Sequence, residues 1–154
     1  MTLFDQTVTP ELHQELVQLT VKMGWYLDHK QWELMDELFT DRVRLDYTGL
    51  NGGDVAVVDR AAMVEKWAKN REPLTSTQHL ISNHLVSRLS DDSATATAMF
   101  QATHLKPNDQ GGPLWTLGGE YEYTFSSSNS GWRISGLAMR IIWADGNRNI
   151  RDLP

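Results

Sequence analysis

The 154-residue chain contains no cysteine. That absence excludes a disulfide framework, a thiolate nucleophile and any metal site built on sulfur, and it leaves the redox compartment open. Basic residues are also in short supply: 14 Lys and Arg face 20 Asp and Glu, giving a net charge of −6. Phosphate backbones need a basic footprint, so no nucleic-acid partner is expected. No apolar run approaches the roughly 20 residues of a membrane helix. The opening stretch MTLFDQTVTPELHQ lacks the basic and apolar segments of a secretory signal. A soluble cytoplasmic protein without membrane association is the expectation. There is no internal repeat and no linker, so residues 1–154 read as one domain.

What is present is a helix-first, strand-later pattern. Thr9-Pro10-Glu11 is a helix start, with a hydroxyl cap, proline in the first turn and an acid near the positive pole. Leu12, Leu16, Leu19, Met23 and Leu27 recur at spacings of three and four, with Val17, Val21, Gly24 and Asp28 in a row beside them. A short second helix carries Trp32, Met35, Leu38 and Phe39 on one face. RVRLDY, residues 42–47, alternates as a strand, and TGLNGGD is a turn-rich loop. Asp59 caps a third helix, Arg60 to about Asn70, with Ala62, Met63 and Trp67 inward. Four long strands follow over 76–90, 93–105, 114–127 and 131–144, separated by SDDS, KPNDQGGP and SSSNSG. The class is α+β, with helices on one face of a curved sheet.

Within this pattern Asp28 stands out. It sits in GWYLDHKQW beside Trp25, Tyr26, Leu27 and Trp32, and a carboxylate buried there without a partner costs several kcal/mol. Candidate partners lie on the strands. The second strand places Thr77, His79, Ile81, Asn83 and Leu85 on one face; the third places Ala94, Ala96, Ala98, Phe100, Ala102 and His104 on one face. Alanines on the inner face of a long sheet leave room for a ligand. Histidine can remove and return a proton near neutral pH, and an aspartate on its ring N–H fixes its tautomer. Asp28 could also take a substrate proton directly, and Tyr47 could donate to a carbonyl or enolate oxygen. A two-histidine, one-carboxylate metal site is the rival reading, but no local ligand motif supports it. Acid/base chemistry without metal or cofactor is the expectation. Trp25 and Asn83 join the candidates for substrate contact.

W-Y-L-D-H-K-Q-W-E-L-M-D-E-L-F, R-L-D-Y, T-Q-H, a histidine near the end of the next strand and the closing G-W-R-I-S-G-L-A-M-R-I-I-W resemble the SnoaL-like group of the NTF2-like superfamily. Within it the pattern is most similar to scytalone dehydratases, over residues 10 to 145. The resemblance implies an NTF2-like cone-shaped α+β barrel, with three helices on a strongly bent mixed sheet enclosing a pocket. It implies Asp28 and His79 as the paired base, His104 as the assisting histidine and Tyr47 as a tyrosine that polarises the substrate. Leu50, Met63, Ala102, Met139 and Ile141 fall at pocket-lining positions. Leu27 replaces a second tyrosine, and Tyr121 replaces a pocket asparagine. The implied activity is dehydration of a cyclic polyketide- or steroid-like hydroxy-carbonyl compound, with isomerisation, cyclisation or a non-catalytic binding module as alternatives. The implied partners are a small hydrophobic cyclic substrate and further copies of the chain, as a dimer or trimer.

Overall fold

The computed structural model describes residues 8–153, so the domain start at residue 1 and the first half of the stretch read as leader-free lie outside the described residues. Helix α1 runs Pro10–Asp28, and the Thr9 hydroxyl accepts from the Leu12 N–H at 3.2 Å. Its apolar row is buried as the spacing predicts, with Leu16, Met23 and Leu27 at most 3% exposed. The second helix is a single 3₁₀ segment, Trp32–Glu37, and delivers Leu38 and Phe39 to the core at the start of strand β1, Phe39–Asp46. The turn-rich loop contains one helical turn, α2, Thr48–Asn51. Strand β2, Ala56–Asp59, is an addition that the alternation did not reveal. Helix α3, Arg60–Arg71, buries Met63 and Trp67. Asp59 precedes it but makes no capping bond, and pairs instead with Arg42 at 2.8 Å.

Four long strands complete the chain: β3, Ser76–Arg88; β4, Ser93–Leu105; β5, Leu114–Ser128; and β6, Gly131–Gly146. They form an antiparallel meander, and β1 joins parallel to β6, giving the order β2-β1-β6-β5-β4-β3. The fold is therefore the expected α+β, on a mixed, curved six-stranded sheet. It departs from a barrel in one respect: β2 and β3 are edges, so the sheet is not closed. Register shifts at Ser82/Leu85, Gly118/Gly119 and Thr124/Phe125 mark where it bends. No helix among the described residues is long and apolar enough to cross a membrane.

The alanine row of β4 serves two purposes. Ala94, Ala96 and Ala98 stand opposite Phe125, Tyr123 and Tyr121 of β5, and those aromatics fill the space the alanines leave. Along β4 itself, the residues that line the open cavity lie farther on, at Phe100, Ala102 and His104.

Candidate active site

A cavity of about 810 Å³ opens between the inner face of the sheet, helix α3 and the chain around residues 50–54 and 148–152. That volume suits a small organic ligand. Of the residues singled out in the sequence, Tyr47, Leu50, Met63, His79, Ala102, His104, Tyr121 and Met139 line it.

Three expected contacts are absent. Trp25 is 60% exposed and stacks on His29 at 4.1 Å. It lies two residues from both Met23 and Leu27, about 200° round the helix from the buried row. Asn83 is exposed at a bulge with φ 57, a conformation that asparagine tolerates better than most residues. The bulge reverses the alternation, so His84 and Val86 turn inward while Leu85 is 74% exposed. The shared face read through Asn83 and Leu85 therefore stops at Ile81. Ile141 packs against the core without lining the cavity. It pairs with Gly119, which the Phe100 ring overlies.

Asp28 ends α1, where a carboxylate meets the negative pole of the helix dipole. Hydrogen bonds from β3 offset this. The His79 ring donates from Nδ1 to Oδ1 at 2.6 Å, the His79 backbone N–H donates to Oδ2 at 2.7 Å, and the Thr77 hydroxyl donates to Oδ1 at 2.8 Å. Burial alone would push the carboxyl up. The His79 ring bond and charge, with the backbone and Thr77 bonds, outweigh burial and hold it below the usual carboxylate range. The His79 side chain is only 3% exposed. With Nδ1–H committed to Asp28, Nε2 keeps the basic lone pair.

His104 lies with its ring centre 6.3 Å from that of His79 and donates from Nδ1 to the Trp115 carbonyl at 3.1 Å. Burial pushes its pKa down to about 4, aided by the charges of His79, Arg71 and Arg151 against that carbonyl bond. It is therefore neutral near pH 7, and its Nε2 accepts rather than donates. A neutral ring of this kind assists as an acceptor, not as a source of the proton for a departing group. The buried Tyr47 hydroxyl is raised well above the usual phenol value by desolvation, against the Arg71 charge and a bond from Trp67, so it stays a proton donor. Tyr121 is raised likewise by burial and by Tyr47, and it stacks on Phe100 at 4.2 Å. Tyr26 turns away from the cavity and donates to Glu37 at 2.6 Å.

Sequence reasoning missed Trp67, Trp115, Arg71 and Arg151 as cavity residues. Arg71 ends α3, and the Arg151 guanidinium lies 5.4 Å over the Trp115 ring. Only the count of six tryptophans in the chain hinted at the two that line it. Among the described residues no group of three or more His, Asp or Glu side chains is arranged to hold a metal ion.

A histidine on the wall of an open cavity, held from behind by a carboxylate, in a helix-covered curved sheet, defines a small α+β domain built around an internal pocket. The chain belongs to the SnoaL-like domain family, whose model matches residues 9–138. Among solved structures it is similar to Kfla4162 from Kribbella flavida, at 22% identity and a TM-score of 0.85, covering 91% of this chain and 96% of that one. It is similar to a protein assigned as a scytalone dehydratase from Novosphingobium aromaticivorans, at 18% identity and a TM-score of 0.75, covering 88% and 87%. It is also similar to the hexachlorocyclohexane dehydrochlorinase LinA-type3 from Novosphingobium barchaimii, at 12% identity and a TM-score of 0.72, covering 92% and 94%. At these identities the likeness establishes the shared fold. No curated protein matches the chain.

Proposed function

We propose that the protein is a cofactor-independent acid/base lyase that dehydrates a cyclic hydroxy-carbonyl compound of polyketide- or steroid-like shape. The observation that carries this reading is the 2.6 Å bond from Asp28 to the ring of His79, which itself lines the open cavity. The dehydratase and dehydrochlorinase named above both eliminate a small molecule by their names, which agrees with it. His79 Nε2 takes the proton α to the carbonyl, and Asp28 supports the imidazolium that forms. The electron pair moves to the carbonyl oxygen, where the Tyr47 hydroxyl donates to the enolate. The pair then returns to form the carbon–carbon double bond and expels the hydroxyl. The proton that makes it water comes back from His79, while His104 Nε2 accepts from the hydroxyl and orients it.

Isomerisation or cyclisation begins with the same proton transfer and is the second reading of the same residues. A non-catalytic binding module has no use for an oriented histidine facing an unfilled cavity. The test is the absorbance of conjugated product when cyclic β-hydroxy ketones are offered to wild type and His79→Ala. Turnover should fall about 10²-fold or more in the variant. Equal turnover in both would overturn the reading.

A further inference from the structure

Arg71 is a half-buried cation, with its Nε fully buried, that the proton-transfer scheme does not use. It is the last residue of α3, and it lines the cavity. Its Nε is buried with no hydrogen-bond partner, and its Nη1 donates only to the Trp67 carbonyl of its own helix, at 3.4 Å. Among the described residues no carboxylate comes within ion-pair distance of the guanidinium. Such a group is costly as it stands, because a desolvated charge needs a counter-charge and its donors need acceptors.

The surroundings point the same way. The cavity lining holds five cationic side chains, Lys66, Lys69, Arg71, Arg148 and Arg151, and two acidic ones, Asp54 and Asp152. The chain as a whole carries a net charge of −6. A local excess of cations inside an acidic protein concentrates anions at that opening. A guanidinium presents two parallel donors that match the two oxygens of a carboxylate.

We infer that Arg71 receives a carboxylate carried by the substrate, so that the compound processed here is a cyclic hydroxy-carbonyl acid. This rests on the reading of the cavity as the reaction chamber, and it deepens that reading. The carboxylate binds Arg71 at the end of α3, and the reacting ring extends along Phe100 and Tyr121 toward His79. Arg71 is then a binding residue that fixes which end of the ring meets the base.

The probes are naphthoate and its uncharged isostere naphthamide, titrated calorimetrically into the wild-type protein. Naphthoate should bind more tightly by about tenfold to a hundredfold, the usual worth of hydrogen bonds to a charged group. Arg71→Gln should abolish that preference, and Arg71→Lys, which keeps the charge without the planar donor pair, should restore only part of it. His79→Gln should keep the preference while losing turnover, which separates this inference from the acid/base reading. Equal affinities in the wild type, no binding of naphthoate at millimolar concentration, or a preference that survives in Arg71→Gln would each overturn it.

Discussion

The Cβ of His79 lies 3.4 Å from where a side chain would begin on Gly24. Helix α1 and strand β3 therefore approach closely just one turn before Asp28, and that approach brings the carboxylate within reach of the ring. The Ile81 Cδ1 stands 3.1 Å from the same point, but it is the far end of a flexible side chain. Gly24→Ala should accordingly be near neutral in a melting experiment, since better helix propensity offsets the tight contact. Gly24→Val should cost about 1–3 kcal/mol through overpacking. If the spacing sets the Asp28–His79 bond, turnover should fall more in Gly24→Val than its stability loss explains.

Asp28→Asn tests charge and structure at once. The sequence alone suggests that removing this charge leaves stability unchanged or improved. The three donors that converge on the carboxylate change that expectation, because an amide offers one acceptor oxygen where two are used. Melting should show a loss of about 1–3 kcal/mol, and turnover should drop by about 10²-fold or more. The carboxyl is held below its ordinary value of 3.8, so its contribution to stability is present above that pH and is lost as pH falls through the lower folded value. The variant should therefore lose less stability on acidification than the wild type does.

His104 gives a separate pH signature. Unfolded, it takes up a proton near 6.5; folded, near 4. Between those values the unfolded chain binds more protons, so the stability from keeping this ring neutral is complete above about 6.5 and declines as pH falls to about 4. The change amounts to roughly 3 kcal/mol. His104→Asn keeps a donor for the Trp115 carbonyl but does not titrate. Denaturant midpoints measured across this range should slope less in the variant; an identical slope would refute the assignment.

Chelators should leave turnover unchanged, and elemental analysis should find no stoichiometric transition metal. The reason is local: among the described residues no third His, Asp or Glu side chain is arranged with a histidine pair to complete a metal site. An ion recovered in stoichiometric amount and required for turnover would replace the proton-transfer scheme.

Much of this arrangement is legible in the sequence for identifiable reasons. The strands end where SDDS, KPNDQGGP and SSSNSG forbid regular pairing, and β3 to β6 start within a residue of expectation. Asp28 is legible because a carboxylate amid apolar neighbours requires a partner, and His79 is in place to supply it. Other features depend on packing that one-dimensional spacing does not encode. The pKa of His104 follows from its burial and from the charges of His79, Arg71 and Arg151, which the fold brings near it. Arg71 reads as an ordinary basic residue at a helix end, where the dipole favours it; only the folded chain shows that its Nε is buried without a partner. Asn83 carried a usable signal in its tolerance of positive φ, yet nothing nearby said that it would be used.

That bulge at Ser82 and Asn83 has a wider effect. Before it, β3 offers Thr77 and His79 to Asp28; beyond it, His84 turns inward and donates from Nε2 to the Thr20 hydroxyl at 2.7 Å, while that hydroxyl donates to the Val17 carbonyl. One strand thus grips the same helix at two points, one chemical and one mechanical, with a phase slip between them. Deleting Asn83 would swing the mechanical grip to the solvent side and leave the residues preceding it in their original phase. The two halves can therefore drift independently over evolutionary time: substitutions that adjust the hold on α1 need not disturb the alignment of the proton-transfer pair.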